Sequence, residues 1–106
     1  NDTLYVSSTM IRGFADDETR RLFEAGVRKG WGPALCRSAV RKLMQLNFAR
    51  KPEDMRSPPG NRLHKLVGRR DGQWAVWIND QYRLCFRFDG EEAVEVEVTD
   101  YHDERK

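Results

Sequence analysis

The sequence predicts an α+β fold: a short strand and a helical hairpin, then a curved, mainly antiparallel sheet. Two observations carry that expectation. Apolar residues recur every three or four positions in the first half and every second position from Trp74 onward. The first period belongs to a helix with one buried face, the second to a half-buried strand. Between the two regimes, Lys51-Pro52 to Pro58-Pro59-Gly60 carries prolines and a glycine that read as a loop. At 106 residues the chain has the size of one domain with one hydrophobic core.

Met10-Ile11-Arg12-Gly13-Phe14 reads as the opening strand. Met10 resembles a natural start, so residues 1–9 are expected to be an upstream extension or expression remnant, and residues 10–106 the domain. Asp16 or Asp17 is suited to cap a helix running to about Val27, with Leu22, Phe23 and Gly26 inward. Gly30-Trp31-Gly32-Pro33 then breaks the chain. Pro33 fits the first turn of a second helix, where its missing N–H costs nothing. In that helix Leu35, Cys36, Ala39, Val40, Leu43 and Met44 form an apolar stripe, while Arg37, Arg41 and Lys42 fall on other faces.

After the loop, Leu63 to Leu66 is a short strand candidate. Trp74, Val76 and Ile78 alternate with Ala75 and Trp77, and Tyr82, Leu84, Phe86 and Phe88 alternate with Arg83, Cys85 and Arg87. Val94, Val96 and Val98 alternate with Glu95 and Glu97. These segments form an antiparallel meander with one apolar face. Setting Ile78 opposite Tyr82 requires the three-residue turn Asn79-Asp80-Gln81. Setting Phe86 opposite Val94 and Leu84 opposite Val96 requires an odd number of residues in the Asp89-Gly90 turn. A one-residue slip would send a whole apolar set to the wrong face. This register predicts a row of Trp77, Arg83 and Glu97 across the opposite face.

Charge is unevenly distributed along the chain. Residues 1–88 hold 17 Lys and Arg against 9 Asp and Glu, and residues 89–106 hold 2 against 8. A polyanion therefore meets the first part more favourably. Arg37, Arg41 and Lys42 on the second helix, with Lys65, Arg69 and Arg70 near His64, are the candidate RNA-binding cations. No apolar run approaches the roughly 20 residues of a membrane-spanning helix. Cys36 and Cys85 lack metal-ligand spacing and read as buried thiols in a reducing cytoplasm.

The chemistry-bearing residues are few. The chain has only two histidines: His64, among Arg62, Lys65, Arg69 and Arg70, and His102, which closes Thr99-Asp100-Tyr101-His102. Cutting RNA without a metal needs a base for the ribose 2′-hydroxyl, an acid for the leaving 5′-oxygen, and cations for the phosphate. Histidine titrates near neutral pH and suits either proton role. Arginine stays charged and makes paired hydrogen bonds to phosphate. His64, Arg83, Asp100, Tyr101 and His102 supply that set, and Tyr101 could stack on a base. Each also has a structural reading: Arg83 paired with Glu97 and laid across Trp77, His64 as a surface histidine, Tyr101 as a core cap, and Asp100 and His102 as a polar chain end. No metal site is expected.

From Met10 to His102 the chain resembles the HigB branch of the RelE/ParE toxin superfamily. The resemblance rests on Met10-Ile11-Arg12-Gly13-Phe14, Arg62-Leu63-His64-Lys65-Leu66-Val67-Gly68 and Gly72-Gln73-Trp74-Ala75-Val76. It continues through Tyr82-Arg83-Leu84-Cys85-Phe86-Arg87-Phe88 and ends on Asp100-Tyr101-His102. It implies the RelE/ParE-like microbial RNase toxin fold and a bacterial, cytoplasmic toxin of a type II toxin–antitoxin system. It also implies a metal-independent, cofactor-free endoribonuclease that cuts mRNA in the ribosomal A site, touching 70S ribosome and 16S rRNA. A small HigA-like helix-turn-helix antitoxin would neutralise it, and operator DNA would be met only through that antitoxin. His64, Asp100, Tyr101 and His102 match positions tied to cleavage, with Asp100 or His102 as base, His64 as acid and Arg83 on the phosphate. Two departures stand out: Val67 where several relatives carry lysine, and Tyr82 where tryptophan is common. Lys65 or Arg69 could supply the charge absent at Val67. The alternatives are a ParE-like gyrase inhibitor and a catalytically weak RNA-binding regulator.

Overall fold

A computed structural model describes residues 11–100. Helix α1 spans Asp17–Ala25. The Asp16 carboxylate caps it, accepting from Thr19 N–H at 2.7 Å, and Asp17 and Glu18 add negative charge to the first turn, where the helix dipole favours it. The helix stops at Gly26, whose positive φ of 78° lets its N–H close on the Leu22 carbonyl. The end lies just short of the expected Val27, which is exposed.

Helix α2 spans Pro33–Phe48, with Pro33 in its first turn as expected. It buries Cys36, Ala39, Leu43, Leu46 and Asn47. Met44, expected in the stripe, is exposed because it lies about 100° round the helix from Leu43, at the stripe's margin. Asn47 replaces it on the inner side, where its side-chain oxygen accepts the Ile11 N–H at 3.3 Å. Among the described residues, no helix is long and apolar enough to cross a membrane.

The proline-rich loop folds into two short 3-10 turns, Pro52–Met55 and Pro59–Asn61. Its hub is the fully buried Asn61. The Asn61 amide donates to the Met55 carbonyl at 2.9 Å and the Gln45 side-chain oxygen at 3.1 Å, while its oxygen accepts from Lys42 Nζ. Burial of this polar group is stabilising because its donors and acceptor are matched.

Four antiparallel strands follow in sequential order: β1 His64–Lys65, β2 Trp74–Trp77, β3 Tyr82–Asp89 and β4 Glu92–Asp100. The β2–β3 register agrees with expectation: Val76 faces Leu84, Trp77 faces Arg83, and Ile78 N–H reaches the Tyr82 carbonyl at 3.0 Å. The β3–β4 register does not. Leu84 pairs with Val98 and Arg87 with Val94, so neither Leu84–Val96 nor Phe86–Val94 forms. Asp89 pairs with Glu92 across Gly90 and Glu91, an even turn, and the pairing shifts between Cys85 and Arg87. Across that shift Phe86 alone faces Glu95 and Val96, a bulge in which Glu95 takes φ 52°. The bulge puts Ala93, Val96 and Val98, rather than Val94, in the core.

The expected strand at residues 10–14 is reduced to two parallel bridges, Ile11–Ala93 and Phe14–Val96; Met10 lies outside the described residues. Three backbone bonds hold this segment to β4: Arg12 N–H to Ala93, Ala15 N–H to Val96, and Val96 N–H to Gly13. The Glu95 bulge bends that edge, so no regular ladder forms along it. The main core lies between the helices and one sheet face, with Leu22, Leu43, Leu46, Leu84 and Phe86 fully buried. A smaller cluster of Leu66, Ala75 and Cys85 lies separately from it.

Candidate active site

The sheet face turned away from the helices carries two neighbouring cross-strand rows. One runs His64, Ala75, Cys85, Glu97 and the other Trp77, Arg83, Thr99. The expected row of Trp77, Arg83 and Glu97 is therefore corrected by the β4 bulge, which moves Glu97 one row along. Its carboxylate pairs with Arg70 at 3.2 Å rather than serving as the cross-strand partner of Arg83.

His64 is half-buried at the start of β1. Its Nδ1 lies 2.8 Å from the Arg62 carbonyl. A carbonyl only accepts, so in this contact Nδ1 is the donor.

Arg83 is 3% exposed. Its Nη1 donates to the Asn79 carbonyl at 2.7 Å and the Tyr82 carbonyl at 3.2 Å, and its guanidinium carbon lies 4.0 Å from the Trp77 ring centre. The stacking on Trp77 agrees with the structural reading of this residue. Arg83 thus braces the β2–β3 turn and fixes a permanent positive charge within the sheet face.

Asp100 ends β4 opposite Tyr82, one residue past the Thr99 that closes the Arg83 row. Its carboxylate accepts from Gln81 Nε2 at 3.0 Å. Tyr101 and His102 lie outside the described residues. The structure thus brings His64 and Arg83 to adjoining rows of one face; Asp100, level with Tyr82, whose ring packs on the main core, leaves β4 on the other side of the sheet.

The candidate RNA-binding cations divide by position. Arg37 and Arg41 are exposed on α2, in the helical layer that covers the other sheet face. Lys42 is bound to Asn61, and both burial and the charge of Arg41 hold its ammonium pKa below the ordinary lysine value. Arg70 is engaged by Glu97 and by Gln73 at 3.0 Å. Lys65 pairs with Trp74 in the ladder and lies 5.3 Å from that ring, which packs on the main core. It therefore leaves the sheet on the side opposite His64. Arg69 is exposed in a 3-10 turn, and Val67 is 77% exposed.

One member of the face escaped the sequence reading. Arg62 places its guanidinium carbon 4.0 Å from the Trp77 ring centre. The signal was present: Arg62 and His64 are two apart, as are Trp77 and Ala75, so the His64–Ala75 pairing extended outward sets Arg62 level with Trp77.

The chain is thus a small α+β domain with a histidine and arginines on one sheet face. A sequence model described as the RelE-like toxin of the type II toxin–antitoxin system HigB matches residues 12–102. The chain belongs to this HigB-like toxin family, and an antitoxin partner follows from that membership. It is 35% identical over 80 residues to Toxin HigB-1 of Vibrio cholerae, covering 74% of this chain and 84% of that one. It is 27% identical over 93 residues to Endoribonuclease HigB of Proteus vulgaris, covering 88% of this chain and 100% of that protein. An uncharacterized protein of Haemophilus influenzae is 30% identical over 81 residues, 76% of this chain and 80% of that one.

Proposed function

We propose that this toxin is a ribosome-dependent endoribonuclease that cuts mRNA in the A site of the bacterial cytoplasm and is neutralised by a HigA-like helix-turn-helix antitoxin. The observation that carries this reading is the placing of His64 in the row next to Arg83 on one sheet face. The likeness to the Proteus vulgaris endoribonuclease supports it.

In the proposed reaction, His102 rather than Asp100, which leaves β4 on the other side of the sheet, removes the proton from a ribose 2′-hydroxyl. The 2′-oxygen forms a bond to the adjacent phosphorus as the bond from phosphorus to the 5′-oxygen breaks. His64 gives its Nε2 proton to that leaving oxygen, so the products are a 2′,3′-cyclic phosphate and a free 5′-hydroxyl. No outside reactant is required. Arg83 stabilises the charge that builds on the phosphate, Tyr101 stacks on a neighbouring base, and Arg69 draws in the backbone. Arg37 and Arg41, in the helical layer, contact 16S rRNA.

The test is primer extension on mRNA held in purified ribosomes. Wild-type toxin should produce cuts that depend on ribosomes. His64→Ala should reduce cleavage by at least 100-fold, the order expected for loss of a general acid, with an unchanged melting profile. Intact mRNA together with inhibited gyrase supercoiling would instead establish a gyrase poison.

A further inference from the structure

We propose that Arg62 is a phosphate-gripping residue of this site, with Trp77 as the plate that holds its guanidinium ready. The inference rests on the nuclease reading above and adds a binding residue to the same face.

Arg62 is held from three directions. Its N–H donates to the Pro59 carbonyl at 3.1 Å, and its own carbonyl takes the His64 Nδ1 contact at 2.8 Å. The backbone sits at φ 51°, ψ 50°, a left-handed conformation that side-chain-bearing residues adopt only when their surroundings impose it. Just before it, Asn61 is fully buried and bonded at both ends of its amide. The side chain, by contrast, is exposed, and its guanidinium lies against Trp77.

This geometry suits an anion. Stacking on an indole fixes the plane of the guanidinium while leaving its N–H edges available. Those edges are the part that bonds a phosphate in pairs. Among the described residues Arg62 forms no ion pair, so its charge is not spent on a carboxylate. It is two residues from His64, on the same side of the sheet, and neighbours the Trp77–Arg83 row. Val67 offers no charge, and Lys65 leaves β1 on the other side. Arg62 therefore fills the electrostatic role that Lys65 or Arg69 was expected to take.

The experiment measures binding without cleavage, using a short single-stranded RNA made 2′-O-methyl throughout so that it cannot be cut by 2′-attack. The logarithm of its affinity is followed against the logarithm of salt concentration. One phosphate contact on a single strand contributes a slope of about 0.7. Arg62→Gln keeps a planar amide over Trp77 but removes the charge, and its slope should be shallower by about that amount, with an unchanged melting temperature. Arg62→Lys should retain the wild-type slope. An unchanged slope in Arg62→Gln overturns the proposal, as does an equal loss in both variants, or a wild type whose binding ignores salt. Cleavage of ribosome-bound mRNA is scored separately on the wild type. A wild type that cuts, with no slope change in Arg62→Gln, refutes only the Arg62 assignment. A wild type that never cuts, but whose slope falls in Arg62→Gln, refutes only the nuclease reading.

Discussion

Lys42 shows how one side chain can serve the fold at an electrostatic cost. Its ammonium bonds Asn61 in a partly buried place beside Arg41, and both surroundings lower its pKa from 10.5. The unfolded chain therefore holds more protons than the folded one between that lowered value and 10.5. Below both values the folded state bears the full cost of the buried charge; through the window the cost is relieved as pH rises. Urea unfolding of the wild type and Lys42→Met at stepped alkaline pH should show the wild type gaining stability relative to the variant toward 10.5. Parallel curves would contradict this. His64 presents the opposite case, a residue whose chemistry is set by one backbone carbonyl. The sequence could mark it by its basic neighbours, but the contact of its Nδ1 depends on the Arg62 turn, a tertiary detail.

Among the elements, the β4 bulge does most to separate expectation from structure. The helices were legible because their caps and stops are local: an aspartate for α1, a proline for α2, a glycine at the first helix's end. The β2–β3 hairpin was legible for the same reason, since its turn length and its two apolar patterns agree. In β4, the alternation of Val94, Val96 and Val98 conceals a change of register halfway along. Glu95 gives no sign of it, because glutamate has no preference for a positive φ. A substitution test follows from the 52° value. Glu95→Gly should be neutral or stabilising by up to about 1 kcal/mol, because relief of the left-handed backbone offsets the loss of a surface pair with Arg87. Glu95→Val, with a branched β-carbon, should cost about 1–2 kcal/mol. Urea unfolding midpoints decide both. Of the candidate site, the sequence offered the residue types, while their grouping in space depended on this register and on the Arg62 turn.

For the molecule as a whole, the acidic segment that begins at Asp89 is partly balanced by arginines earlier in the chain. Asp89 and Glu92 pair with Arg12, Glu95 with Arg87, and Glu97 with Arg70. Arg62, Lys65 and Arg69 have no such partner among the described residues, so the modest net charge of +2 understates the field around His64. Ribosome binding should accordingly weaken with salt. Three phosphate contacts would lower affinity about 20- to 40-fold between about 50 and 200 mM salt, and filter binding or sedimentation would measure it. A salt-independent affinity would point to an apolar contact instead.

The segment at residues 11–15, stitched along β4, also determines how the chain meets copies of itself. An open strand is a template on which another chain can continue the sheet. Here one margin is already occupied by Arg12, Gly13 and Ala15, and further along the Thr19 hydroxyl accepts the Val98 N–H. The other margin ends in a strand of two residues, too short to recruit a neighbour. Residues 11–15 thereby cover part of the β4 edge on which another chain could otherwise extend the sheet.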